Sequence, residues 1–133
     1  MSKLLEYLGE NRMGQLATIN DGKPNQRPFM FQFYKGGKVF FTTANTKSVY
    51  KELEKSPVAS FIVWGSDNRW VRISGDVEFV SDLAVKEDAL NREAFLKDMY
   101  KSADNPIFEV FYITNGSMTF HEFQGQVIET IEL

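Results

Sequence analysis

The sequence has no cysteine and a single histidine, His121. Without thiols there is no disulfide, no thiolate nucleophile, no iron–sulfur ligation and no cysteine-held zinc. One imidazole falls short of the several that a zinc or non-haem iron centre recruits, so no metal site is expected. Serine–histidine–aspartate chemistry would have to use His121. Acidic and basic residues are interspersed and the net charge is −3, so the basic stripe of a nucleic-acid binder is missing. No apolar run approaches a membrane span. The first residues, Met1-Ser2-Lys3-Leu4-Leu5-Glu6-Tyr7-Leu8, are too short an apolar run and too charged for a signal peptide. A cytoplasmic protein without nucleic-acid or membrane partners is expected.

What is present is aromatic. Twelve phenylalanines in 133 residues can build a core from large buried side chains, and this length suits one domain over 1–133. Residues 2–10 read as a short amphipathic helix capped by Ser2, with Leu4, Leu5 and Leu8 on one face. Strands follow over 14–19, 25–34 and 39–43, separated by the hairpin turns Asp21-Gly22 and Gly36-Gly37. A helix over 46–55, capped by Asn45 or Thr46, ends at Pro57. Residues 58–64 read as a buried strand. In 70–80, Val71, Ile73, Val77 and Phe79 share one face and Trp70, Arg72, Ser74, Asp76 and Glu78 the other. Ser81-Asp82 opens a helical stretch to about 101 with a break near Asn91. Strands over 107–114 and 117–123, joined by an Asn115-Gly116 hairpin, and a last strand over 126–131 complete the chain. The class is α+β, mainly β, and many short antiparallel strands favour a barrel.

The segment Phe41-Thr42-Thr43-Ala44-Asn45-Thr46-Lys47-Ser48 runs from a strand into a helix N-terminus, where free N–H groups and the helix dipole favour an anion. A lysine there opposes the dipole unless a dianion such as phosphate shares the spot; the plainer reading is a capped helix with a solvated lysine. Arg27 keeps the two-residue period of Phe29, Phe31 and Phe33. A guanidinium in line with a core face needs an anion, either a ligand or an internal partner such as Glu52 or Glu54. Trp70 and Arg72, on an otherwise polar face, suit either a subunit interface or a Trp stacked on a helix of its own chain. His121 reads as solvated or structurally bonded. Met13, Met30, Met99 and Met118 read as core packing, and the charges of 86–101 as a solvated helix face.

The order of these segments resembles the pyridoxamine 5′-phosphate oxidase-like family of FMN-binding split barrels, and within it the small Nim-type (nitroimidazole-resistance-like) flavoproteins. The residues that carry the resemblance are Gly14-Gln15-Leu16-Ala17-Thr18, Gly22-Lys23-Pro24, Gln26-Arg27-Pro28-Phe29, Val39-Phe40-Phe41-Thr42-Thr43, Thr46-Lys47-Ser48, Leu53 with Ser56-Pro57-Val58-Ala59, and Trp70-Val71-Arg72-Ile73-Ser74-Gly75. The resemblance implies a six-stranded antiparallel split barrel with flanking helices, in a homodimer with two FMN sites at the subunit interface. It implies that Arg27 and Lys47 hold the FMN phosphate with Thr46 and Ser48 beside them. Pro28, Phe29 and Met30 would border the flavin ring, Phe41, Thr42 and Thr43 the other side of that pocket, and Trp70 and Arg72 the flavin of the second subunit.

The B6 oxidases of this family carry a further C-terminal segment that completes the vitamer site, whereas this sequence stops at Glu129-Thr130-Ile131-Glu132-Leu133. Pyridoxamine phosphate oxidation is therefore not expected, and no catalytic residue is assigned. The expectation is an FMN-dependent oxidoreductase that passes electrons or hydride between a small-molecule donor and acceptor. The alternative is a flavin carrier or redox sensor without dedicated turnover.

Overall fold

Asp21-Gly22 and Gly36-Gly37 carry positive φ throughout, 50° and 79° in the first pair and 60° and 75° in the second. Two-residue hairpins need that backbone, and glycine supplies it without a Cβ penalty. In the computed structural model, which describes residues 2–133, the first turn joins β1 (Met13–Asn20) to β2 (Lys23–Met30). The second joins β3 (Phe33–Lys35) to β4 (Lys38–Ala44). The remaining strands are β5 (Val58–Trp64), β6 (Trp70–Phe79), β7 (Phe108–His121) and β8 (Val127–Glu132). The helices are α1 (Lys3–Glu10), α2 (Ser48–Lys55), α3 (Leu83–Asn91) and α4 (Ala94–Tyr100). The class is α+β and mainly β. None of the described helices is long and apolar enough to cross a membrane.

The strands form one antiparallel sheet in the order β2-β1-β5-β6-β7-β4-β3, with β8 added to β7. The sheet holds eight strands among the described residues, two more than the six implied for the barrel itself, and no ladder among them closes the ring. β2 and β3 nevertheless lie at opposite ends of the path while only Phe31 and Gln32 separate them in the chain. The two edges must therefore meet. Phe31 N–H donates to Arg12 O (2.8 Å) and Gln32 N–H to Phe40 O (3.1 Å) at this seam. The single strand expected over 25–34 breaks here, because the backbone leaves the β1 ladder to join that of β4.

The curl encloses the aromatic core. Phe41 on β4 and Phe61 on β5 are not sheet neighbours, yet their rings lie 5.0 Å apart across the interior. Phe29 on β2 reaches Phe41 (5.9 Å) and Phe111 (6.0 Å). Each such ring contributes about 1.5–3 kcal/mol by leaving water. α1, capped by Ser2 whose Oγ accepts from Leu5 N–H (3.1 Å), buries Leu4, Tyr7 and Leu8 against the same core. The outer face of β4 packs Phe40 and Ala44 under Leu90, Leu96 and Tyr100 of α3 and α4. β4 is therefore covered on both sides.

Two expectations are corrected locally. Asn115-Gly116 is not a hairpin; β7 runs through it. Ser74 pairs with Ser117 and Asp76 with Thr114, so two residues of β7 face Gly75 alone in a bulge. Asn115 takes φ 51°, and a Cβ on Gly116 would fall on the Ser74 carbonyl oxygen. Helix α2 begins at Ser48 rather than at Thr46, with Lys47 in the N-cap position and no side-chain capping bond. Asn45 does not cap it: it lies two residues before the N-cap position, and its Nδ2 donates to Pro106 O (2.7 Å) and Glu109 Oε2 (2.8 Å).

Candidate functional site

Strands β2 and β4 and the start of α2 converge on a cavity of about 540 Å3. Arg27, Pro28, Phe29 and Met30 line it from β2, Thr42 and Thr43 from β4, and Lys47 and Ser48 from the entry to α2. These segments are distant in sequence but meet because the sheet edges meet. Thr46 is exposed in the turn before Lys47. Phe41 is brought inward instead: its side chain is fully buried, stacked on Phe111 with centroids 5.3 Å apart. Its ring belongs to the core and not to the cavity lining.

The α2 end of the cavity is polar. Lys47 is exposed, and its ammonium makes no ion pair among the described residues. The first N–H groups of α2, uncapped by any side chain, add the positive end of the dipole. Arg27 is half-buried and does find an internal partner. Its Nη2 donates to Glu52 Oε1 (3.0 Å), and its Nη1 donates to Leu16 O (3.1 Å) and Thr18 Oγ1 (2.7 Å). Of the two readings left open for Arg27, the ion pair with Glu52 is present. Glu52 also accepts from Thr18 Oγ1 (2.7 Å) and Asn25 Nδ2 (3.2 Å). The Thr18 hydroxyl, followed by Arg27 and Asn25, holds its carboxyl below the usual range against the opposing cost of burial.

Thr43 is the anomaly. It is buried, and its Oγ1 has no hydrogen-bond partner among the described residues. An unsatisfied buried hydroxyl costs about 1–3 kcal/mol. It lines the cavity, so a polar ligand atom there would satisfy it.

The opposite wall is apolar and was not read from the sequence. Phe95, Leu96, Met99 and Tyr100 of α4 line it, with Met13 and Gln32 beside them. Phe95 and Met99 remain exposed at 43% and 62%, so Met99 is not core packing as expected; nor is Met13, at 57%. The signal available was the doubled i,i+4 stripe of 95/99 and 96/100, wider than one sheet contact uses. Burial raises the pKa of the Tyr100 hydroxyl.

Trp70 and Arg72 lie elsewhere. They line a second, open cavity of about 640 Å3 with Gly14, Gln15, Ile62, Trp64 and Phe123. Trp70 does not stack on a helix of its own chain. It lies on His121 of the neighbouring strand, centroids 3.8 Å apart and planes 9° apart, with the Arg72 guanidinium 5.1 Å from its ring. His121 is buried and structurally bonded: Nδ1 meets Gly125 O (3.2 Å) and Nε2 meets Thr119 Oγ1 (2.8 Å). In the neutral ring this fixes Nδ1–H as donor and Nε2 as acceptor. Met13 lines both cavities.

The family model for pyridoxamine 5′-phosphate oxidase matches residues 1–122 of this chain. The chain belongs to that family. A NimC/NimA family protein from Clostridium acetobutylicum is similar to it at 36% identity and a TM-score of 0.86, covering 97% of this chain and 89% of the other. The pyridoxine/pyridoxamine 5′-phosphate oxidase of Nostoc punctiforme is 40% identical over 82 residues, 59% of this chain. The match spans 38% of that oxidase's own length. A pyridoxamine 5′-phosphate oxidase-related, FMN binding protein from Nostoc punctiforme shares the fold, with a TM-score of 0.64 at 16% identity, 98% of this chain and 92% of the other being covered.

Proposed function

We propose that this member of the pyridoxamine 5′-phosphate oxidase family is an FMN-binding oxidoreductase that works as a homodimer. The observation that carries the reading is the buried, unpartnered Thr43 hydroxyl in a cavity shared with Arg27, Lys47 and the uncapped start of α2. Those groups fit a ligand that is anionic at one end and a polar heterocycle at the other. Arg27, Lys47 and Ser48 would hold the phosphate. The backbone of Pro28–Met30 with Thr42 and Thr43 would border the ring system, and Phe95 and Met99 would shield it from water.

FMN, when bound, supplies the electron or hydride transfer, so the chain's task is to bind, orient and enclose it. No carboxylate or imidazole lines the cavity among the described residues. Proton exchange with solvent or substrate therefore carries no assigned side chain.

The second subunit is proposed to cover the face that bears Met13, Ile62, Trp64 and Phe123, which are exposed at 57%, 37%, 68% and 65%. A contiguous apolar patch of this kind is what subunit interfaces bury. Because Met13 belongs to both cavities, a partner seated there would border the flavin site. Trp70 and Arg72 would then face the partner's flavin.

The deciding experiment is the absorption spectrum of the purified protein with mass identification of the released chromophore. FMN, absorbing at about 450 nm as oxidised flavins do, is expected. A haem or a deazaflavin instead would overturn the reading. Steady-state oxidation of a reduced nicotinamide with an added acceptor separates an oxidoreductase from a flavin carrier or sensor.

A further inference from the structure

The inward-facing stripe of α2 is Val49, Glu52 and Leu53, so a carboxylate occupies a position that spacing reserves for an apolar side chain. Glu52 is 8% exposed. Burying a carboxylate is costly unless it is paired and hydrogen-bonded, and Glu52 is both, through Thr18, Asn25 and Arg27. The core alone has no need of it. What distinguishes this carboxylate is its partner, since Arg27 is also a wall of the cavity.

We propose that Glu52 sets how strongly Arg27 attracts the anionic end of the ligand, and so determines the preference for a phosphorylated over an unphosphorylated flavin; this rests on the FMN reading above. Arg27 spends three N–H groups inward, on Leu16 O, Thr18 Oγ1 and Glu52 Oε1. Of the five donors of a guanidinium, Nε–H and one Nη2–H have no partner among the described residues, and they form the edge left for a ligand. The same contact that fixes this edge also neutralises the Arg27 charge. Net positive charge in the cavity is then supplied by Lys47 and the start of α2, and the phosphate is held less tightly than two free cations would hold it. Thr18 mediates the balance, since its hydroxyl accepts from Arg27 and donates to Glu52. With that hydroxyl absent, Glu52 would keep only Asn25 and Arg27 as partners and would lean harder on the Arg27 charge.

The test is the ratio of riboflavin to FMN dissociation constants, read by flavin fluorescence on wild type, Glu52→Gln and Thr18→Val, with folding checked by thermal unfolding of the apo-protein. Glu52→Gln keeps an acceptor but removes the charge, and should raise the ratio about 3- to 10-fold with riboflavin affinity nearly unmoved. Thr18→Val keeps both charges and should lower the ratio by about the same factor. If Glu52→Gln fails to fold, Thr18→Val alone decides. A ratio that stays at the wild-type value, or a parallel loss of both ligands, overturns the proposal and leaves Glu52 a structural residue. A wild-type ratio near one overturns the phosphate reading itself, whichever way the variants behave.

Discussion

The Tyr7 hydroxyl donates to Asp67 Oδ1 across 2.6 Å and lies 2.8 Å from Arg69 O, which ties α1 to the connection between β5 and β6. Arg69 closes the latch: its guanidinium lies 5.0 Å from the Tyr7 ring and its Nε donates to Asp67 Oδ2 (2.7 Å). Gly65 borders it so closely that a Cβ there would meet the Tyr7 hydroxyl. Tyr7→Phe should cost about 0.5–1.5 kcal/mol, the net worth of one hydrogen bond, read as a lowered midpoint in urea.

The latch also has a pH window. The Tyr7 hydroxyl and Arg69 hold the Asp67 carboxyl at about 2, below its ordinary 3.8. Its contribution is therefore present above pH 3.8 and fades as pH falls towards 2. Burial, then Asp67, pushes Tyr7 from 10.0 to about 12. A raised tyrosine pKa favours the fold below 10 and loses that contribution as pH rises through 12. Unfolding at stepped pH should show wild type losing its advantage over Tyr7→Phe at both extremes; a constant gap would contradict the latch.

Lys47 and Arg27 should respond oppositely as apo-proteins although both are proposed to hold phosphate. Lys47→Ala should weaken FMN by roughly 10- to 150-fold, the range for a hydrogen bond to a charged group, and leave riboflavin unmoved. Its apo-protein should be as stable as wild type or slightly more so, since a cation at a helix N-terminus opposes the dipole. Arg27→Ala strips the partner from buried Glu52. With 19% of the Arg27 side chain exposed, the loss should be about 3 kcal/mol, the low end for breaking a buried pair. Calorimetry of the two apo-variants beside both flavin titrations checks the signs. Equal stability losses would make Lys47 a structural cation.

The proposed homodimer predicts a light-scattering mass of twice the 15.3 kDa chain. Ile62→Glu, on the exposed face shared with Trp64, should give a folded monomer with weakened FMN binding, because Met13 joins that face to the cavity proposed to hold the flavin. A monomeric wild type that binds FMN tightly would rule out the shared site.

How much was legible follows from the range of each interaction. The turns Asp21-Gly22 and Gly36-Gly37 were readable because positive φ is a local demand. Asn115-Gly116 carries the same chemistry and was misread, since a bulge and a hairpin ask for the same residues; only pairing with Gly75 across the sheet distinguishes them. Arg27–Met30, Thr42, Thr43, Lys47 and Ser48 were named from the order of segments along the whole chain rather than from any one short motif, and the fold brings them to one cavity. Phe95 and Met99 were not, because exposed apolar residues on a helix are ordinary, and what they face depends on where α4 packs. Trp70 on His121 is a cross-strand contact set by register, which periodicity along one strand does not contain.

Thr43→Val gives the sharpest test of the cavity. Valine matches the shape of threonine without the hydroxyl, and Oγ1 has no partner to lose among the described residues. Removing an unsatisfied buried polar atom should stabilise the apo-protein by about 1–3 kcal/mol. The hydroxyl persists against that gain, and the cavity it lines supplies the reason if a ligand atom satisfies it. Flavin binding should therefore weaken as the apo-protein gains, by about 2- to 12-fold for one ordinary hydrogen bond. Because Thr43 is proposed to border the ring system and not the phosphate, FMN and riboflavin should lose affinity together, unlike the selective loss in Lys47→Ala. Thermal unfolding without ligand and two fluorescence titrations suffice. A stabilised variant with undiminished affinity for both flavins would show that Oγ1 meets no ligand, and the observation on which the cofactor assignment rests would be gone.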